Sequence, residues 1–515
     1  MKGSSSMKKV LYIPLDERAC NYANIIRMFR AIDDVCLIYP ERCLLPNKKE
    51  PADINAMWEF MKHNIKDCDY AVLSIEMLFY GGLLPSRIHN KRDEQEITEF
   101  AEKLRALKKE NLECKIFVSS LIMRTPRYSS SEQEPEYYEI YGERIFKFGV
   151  LKDKSNRGII TEEEQQEYRI LKSEIPSDII HDFESRRAFN RKVISEVVQL
   201  IKEGVFEFLV IPQDDSYPFG YTSIDQQHIY SLLKKENLNN QILMYPGADE
   251  FGYTLTARVV NQVRGITPNI FVFYSSVSGE FVVPKYEDRM IGESLKSHVL
   301  AVGARLTNNP DSADIIMAYN TPAKEMIEAS GQFEHNIHYD RERNLPYFVN
   351  EIVYYLNKNR YMAVCDCAYA NGGDFQLLNM LNAGTKLVSN IKSYHAWNTN
   401  CNTLGSTLSE SCIFLQATEH KVKENLVSSI FEDVFYEGKI RKEMIDEYLP
   451  VHEEVSYFNI QKRVTEITEI THSRVLALYN SVLSNNNGLK IEKVSIGFPW
   501  NRLFNGDFQV TLKDE

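Results

Sequence analysis

IPQDDSYPFG at residues 211–220 and MYPGADEFG at 244–252 carry the clearest signal of fold in the chain. Each is a short apolar run that breaks abruptly into two adjacent acids, and one helix-length of chain separates them. Short apolar runs bounded by turn residues read as buried strands. On either side, similar runs stand at 10–13, 35–39, 71–75, 116–120 and 270–274, then at 315–318, 362–365 and 387–390. Longer amphipathic stretches alternate with them, which is the pattern of βα units and a mainly parallel sheet. With 208–211 and 242–245 the runs number ten, too many for one eight-stranded barrel. The expected class is therefore α/β in three parts. Residues 7–268 form a barrel-like or open parallel α/β unit carrying the catalytic groups, 269–415 a second, smaller α/β unit, and 416–515 a mainly helical region that closes with EKVSIGFPWNRLF. The charged, Tyr-rich stretch 127–184 reads as a helical insertion near the mouth of a site.

Composition limits what such a chain can do. Its 515 residues, 43% hydrophobic and 26% charged, are ordinary globular material with ample core. A formal charge of −12 lacks the basic surplus that phosphate-backbone binding needs, so nucleic acid is not the expected partner. The leading MKGSSS reads as a short expression leader before a start at Met7. The apolar run behind it breaks at Pro14 and is too short for a signal or a membrane span, so a cytoplasmic protein without a membrane partner is expected. Nine cysteines are scattered, with Cys365 and Cys367 the one close pair. Two thiols do not make a zinc site, and most are expected reduced and buried.

The residues just past each strand are more informative than the strand itself. Asp16, Glu17, Arg18 and Asn21 come after the first run, Glu76 and the Gly81-Gly82 pair after the third, and Arg124 after the fourth. Asp214-Asp215 and Asp249-Glu250 close the two quoted runs; Asn320, Asp366, Asn371, Asp374, His395, Trp397, Asn398 and Asn402 stand behind later ones. Loops at the carboxyl ends of parallel strands converge, and helix N-termini point in, so polar residues at so many of these ends imply a site. Asp and Asn there are also the usual caps of the next helix. A doubled acid needs one cap only, which leaves its second carboxylate unexplained. Glu76, set in the apolar SIEMLFYGG, would be costly if buried without partners.

Paired carboxylates suit glycoside hydrolysis, divalent metal binding, or proton abstraction beside a carbonyl. Sugar sites want aromatic platforms with Arg, Asn and Asp to grip hydroxyls; Trp397 and Trp500 are set in AWNTNCN and PWNRLF, and Tyr217, Tyr245 and Tyr253 flank the acids. Catalytic metal sites want histidines at ligand spacing, and none of the eleven makes an HxH or HExxH pattern. Carbohydrate is favoured, with no cofactor and no metal.

PLDER at 14–18, GADE at 247–250, NGGD at 371–374 and AWNTNCNTLG at 396–405 together resemble a bacterial family catalogued only as a domain of unknown function. That resemblance covers nearly the whole chain and implies no activity. MYPGADEF is also similar to the strand-end signature of the β-N-acetylhexosaminidases of glycoside hydrolase family 20, with Tyr245 in place of its His or Asn and Phe251 in place of its aliphatic residue. This likeness implies that Glu250 is the general acid and that Asp249 orients a substrate 2-acetamido group whose oxygen attacks the anomeric carbon. Asp214-Asp215 resembles the strand-end pair of O-GlcNAc hydrolases, which use the same chemistry.

Taken together, the expected function is a β-N-acetylhexosaminidase-like exo-glycosidase acting on a small saccharide or glycoconjugate, with Asp249, Glu250, Asp214 and Asp215 as catalytic residues. Asp16, Arg18, Asn21, Glu76, Arg124, Tyr245, Asn371, Asp374, Trp397 and Asn398 are the expected substrate holders, and a homo-oligomer is allowed. Trp397 reads equally as core packing, and HAWNTNCNTLGS equally as a loop capping the next helix. Two rivals remain open: a metal-dependent hydrolase or lyase holding Mg²⁺ or Mn²⁺ through Asp16, Asp214, Asp215 and Asp249, and a non-catalytic saccharide-binding protein.

Overall fold

Strands buried on both faces read as unbroken apolar runs, and most of the apolar runs of this chain pair in that manner in the computed structural model. It describes residues 7–238, 240–385, 387–486 and 488–514; the expected leader lies outside them. The chain divides into two units, each assembled from separate stretches. The first takes residues 7–17, Cys36–Gly252 and Tyr286–Asp288; the second takes Arg18–Val35, Tyr253–Lys285 and residues 289–514.

The first unit is built on a six-stranded open sheet, β2-β1-β3-β4-β5-β6. Its strands are β1 (Lys8–Ile13), β2 (Val35–Ile38), β3 (Tyr70–Ser74), β4 (Lys115–Ser119), β5 (Phe208–Gln213) and β6 (Ile242–Pro246). The neighbours from β1 to β6 run parallel. Of the two forms the sequence allows, barrel-like and open, the sheet takes the open one. The stretch after β4 is helical, with helices Tyr138–Asn156, Glu162–Glu174 and Ser177–Lys202.

In the second unit β7 (Asn269–Tyr274), β8 (Arg305–Leu306), β9 (Ile315–Asn320), β11 (Met362–Asp366) and β13 (Ser393–His395) form a sheet in the order β13-β11-β9-β7-β8. Its pairs are parallel as well. The short β10 (Ile327–Glu328) pairs with β12 (Tyr369–Ala370) outside it. Residues 387–390, expected as a strand, are not one: Val388–Asn390 is a 3₁₀ turn, and the strand comes later at Ser393–His395. That strand is polar and gave no apolar signal, because partners for its buried hydroxyl and imidazole come from distant residues.

Both sheets share one topology. In each, the second strand lies to one side of the first and all later main-sheet strands lie to the other, so strand direction of travel reverses between β1 and β3 and again between β7 and β9. A crevice forms at the carboxyl edge where such a reversal occurs, and ligands of open α/β sheets bind there. The C-terminal region is largely helical and shares a core with the second sheet: Ile316, Ala318 and Val364 pack in one cluster with Leu426, Phe431 and Phe435. Phe508 and Val510 of the antiparallel hairpin β14 (Ile491–Gly497) and β15 (Asp507–Leu512) join the same cluster. A π-helical segment, Ile430–Ile440, runs through this core. Gly372 lies against its backbone with φ +144°, and a Cβ there would come within 2.7 Å of Glu437 C and Gly438 N, so a side chain is excluded by space and by conformation.

Candidate functional site

At the end of β5 the two adjacent acids part company. Asp214 turns to Arg87, whose Nη2 donates to its Oδ2 at 2.6 Å. Asp215, at φ +37°, faces Arg124, whose Nη1 lies 3.1 Å from its Oδ2. Glu134 ties the two arginines together, accepting on Oε1 from Arg124 Nε at 2.8 Å and from Arg87 Nη1 at 3.3 Å. Arg87 and Glu134 are almost wholly buried, whereas the Asp215 side chain remains 19% exposed. Burial lifts the Asp215 carboxyl to about 6; Arg124 works against that shift and the neighbouring Asp214 adds to it. Both acids are thus ion-paired, Asp214 the more tightly, and Asp215 is raised toward neutrality in spite of its arginine. Tyr217 stands beside them with the Arg127 guanidinium 4.0 Å from its ring centre.

The next strand delivers the second pair. Pro212 and Gln213 of β5 face Tyr245 and Pro246 of β6, and Gly247 N–H donates to Gln213 O at 3.0 Å. The two acid pairs therefore start from adjoining strand ends, about one inter-strand spacing apart. Asp249 is 8% exposed and Glu250 1%, and Tyr245 and Asp16 are equally buried. Glu76, 3% exposed, spans the ends of β3 and β4: Leu121 N–H donates to Oε1 at 2.9 Å, and the Ser120 and Ser74 hydroxyls lie at 3.4 Å. Burial outweighs these bonds and raises its carboxyl to about 7.

In the second unit the strand ends of β9 and β11 hold a closed polar network. Asn320 Nδ2 donates to Asp366 Oδ1 at 2.8 Å, and Tyr394 OH to Asp366 Oδ2 at 2.9 Å. Asp374 N–H reaches the same Oδ2 at 2.7 Å. Asp374 itself caps the helix Phe375–Thr385 through Oδ1 and pairs through Oδ2 with Arg343 at 2.8 Å. The capping role foreseen for such acids is realised here, with an ion pair added. Burial, then the nearby Asp374, raises Asp366 to about 7. Beside Asp374 opens a pocket of about 390 Å³ walled by Phe333, Tyr369, Phe375 and Met380.

Asn371 and Asn398 meet directly, Asn371 N–H donating to Asn398 O at 2.8 Å, both in left-handed conformations. Thr399 and Asn402 form a reciprocal cap on the helix Asn400–Ile413, which is the loop-and-cap reading of this stretch. Trp397 is buried with its indole N–H on Ser406 Oγ at 3.0 Å, yet it also lines a narrow cleft with Asn24, His395, Glu432 and Asp433. His395 sits 2.9 Å from Glu410 and 3.4 Å from Asp433. Burial opposes its charge, but these carboxylates overcome it and lift the ring to about 9. Arg18 lies over the Trp500 ring at 4.7 Å, and Asn21 is fully buried near Cys20.

Several of these groups have no local sequence signal. Arg87 and Glu134 sit in a short helix and a charged loop, and Arg343 comes just after the short helix Ile337–Arg341. Their importance exists only through partners far along the chain, such as Asp214, 127 residues from Arg87. Glu432 and Asp433 lie on the π-helical segment, whose altered period no apolar pattern announces. Cys365 and Cys367 bring their sulfurs to 3.6 Å, and all nine cysteines are free. Among the described residues no group of three or more His, Cys, Asp and Glu is arranged to hold a metal ion, and no helix is long and apolar enough to cross a membrane.

Comparison with curated proteins and with solved structures returns no match. A family model does match, over residues 10–509 and therefore nearly the whole chain, and its description is Protein of unknown function (DUF4127). A chain of parallel α/β units with carboxylates gathered at their strand ends thus belongs to the DUF4127 family.

Proposed function

We propose that the protein is a glycoside hydrolase, of the β-N-acetylhexosaminidase kind, whose acid catalysis is done by strand-end carboxylates of the first unit. The observation that supports this reading is the unequal treatment of Asp214 and Asp215. Asp215, raised to about 6 and partly exposed, is suited to protonate a leaving glycosidic oxygen. Asp214, fixed by Arg87, is suited to orient a 2-acetamido group whose carbonyl oxygen attacks the anomeric carbon. Balance is simple: the C–O bond to the leaving sugar breaks, the proton of Asp215 passes to that oxygen, and water later opens the cyclised acetamido intermediate. Asp249 and Glu250, one strand over, are the second pair, and the family 20 likeness assigns them the same two roles.

A screen of nitrophenyl glycosides, including N-acetylglucosaminide and N-acetylgalactosaminide, with and without EDTA, tests the proposal. Turnover of an N-acetylhexosaminide that survives EDTA is the expected result. Absence of turnover on every glycoside contradicts it, and activity lost with EDTA moves the carboxylates to a metal-dependent reaction.

A further inference from the structure

A groove of about 280 Å³ lies on the second unit where three elements each present one polar face. Helix Ala23–Phe29 and its C-cap contribute Arg27 and Arg30, three residues apart and so on one side. Helix Glu419–Ser429 contributes Lys421, Glu424 and Asn425, again one side of a turn. The hairpin contributes two directly opposed pairs, Lys493 with Thr511 and Ser495 with Gln509, while the alternating Val494, Val510 and Phe508 face the core.

Four cations therefore share the groove with one carboxylate, in a chain whose formal charge is −12. Glu424 is already engaged: Lys421 Nζ lies 2.7 Å from its Oε2, and Leu512 N–H donates to its Oε1 at 3.2 Å. Arg27 is fixed in place by Asn425 Oδ1 at 2.9 Å and Phe508 O at 2.8 Å, which spends Nε and Nη1 and leaves the outer edge of its guanidinium for another acceptor. Among the described residues the side chains of Arg30 and Lys493 make no ion pair and no hydrogen bond. Like charges held close cost free energy unless a counter-charge joins them.

We propose that this groove binds a tetrahedral oxyanion, as inorganic phosphate or as the phosphate of a phosphomonoester. The donors exceed what the two oxygens of a carboxylate can accept. Pre-positioned arginine with flanking lysines and the hydroxyls of Ser495 and Thr511 suits three terminal oxygens and a double negative charge. The groove's chemistry is independent of the glycosidase reading.

Calorimetric titration of the full chain with inorganic phosphate and, separately, with glucose 6-phosphate, at constant ionic strength, tests it. Saturable binding that weakens at least about ten-fold in the doubly substituted Arg30→Gln, Lys493→Gln protein is expected, both positions being at the surface. The tighter of the two probes then identifies the source of the anion. No saturable binding of either probe, equal binding by the substituted protein, or an equal response to acetate overturns the proposal. Glycosidase activity is not the readout, so failure here leaves the proposed function standing.

Discussion

Glu76 accepts a backbone and two hydroxyl hydrogen bonds and still titrates at about 7, so dryness rather than want of partners sets its behaviour. A carboxyl whose folded pKa lies above its unfolded value holds its proton better in the native state. Stability then falls as pH rises from the unfolded value near 4.5 through about 7 and levels beyond. Glu76→Gln keeps the acceptor geometry and removes the titration. Chemical denaturation across this range should show the wild type losing about 3 kcal/mol that the variant retains. Equal slopes for the two proteins would show that Glu76 is not held neutral. His395 carries the opposite sign: its charge stabilises the fold fully below its unfolded value of 6.5, and that contribution is lost as pH rises through about 9. His395→Gln leaves Glu410 and Asp433 without their cation, so a deficit of roughly 3 kcal/mol is expected below pH 6.5, narrowing as pH rises toward about 9 and levelling above it. A deficit independent of pH would assign the ring to packing alone. At this scale the doubled acids were legible because a cap explains only one of each pair. Arg87, Glu134 and Arg343 were not, because a buried arginine acquires its meaning from a partner that only the fold supplies.

At the scale of elements, nine of the ten apolar runs coincide with strands; in all but Val35–Ile38 and Asn269–Tyr274, which are partly exposed, burial on both faces demands the continuous apolar chain. The silence of Ser393–His395 has a physical cause: a strand whose hydroxyls donate to Glu410 and Asp366 has no need of a continuous apolar run. The π-helical segment was equally hidden, although the paired glycines of NGGD mark where another backbone comes close. Gly372→Ala should cost about 2 kcal/mol or more, since it adds a steric clash to the strain of a positive φ. Gly158→Ala is the control: its φ is +69° and nothing lies within 4 Å of the added methyl. A loss of about 1 kcal/mol is expected there from conformation alone. Equal losses at the two positions, measured by urea unfolding, would remove the close approach to the π-helical backbone from the account.

Over the whole molecule, a parallel α/β class with a helical C-terminal region could be read from the alternation of short apolar and long amphipathic stretches. The strand order could not, because reversal between β1 and β3, or between β7 and β9, leaves no mark on local composition. Yet β1 and β3 are parallel neighbours across that reversal, so Asp16 and Glu76 follow adjoining strand ends at the edge where open α/β sheets bind ligands. The central claim is narrower: Asp215 is the proton donor of a glycosidase. Its most direct measurement is kcat/KM for wild type, Asp215→Asn and Glu250→Gln on N-acetylglucosaminides with leaving groups of graded acidity, followed across pH. The account predicts wild-type activity that falls as pH rises through about 6, because the donor must be protonated. It predicts that Asp215→Asn abolishes this limb and loses on the order of 100-fold on alkyl or sugar leaving groups, with little loss on nitrophenolate. Turnover by Asp215→Asn that is indifferent to the leaving group, or the same dependence appearing in Glu250→Gln instead, would contradict it.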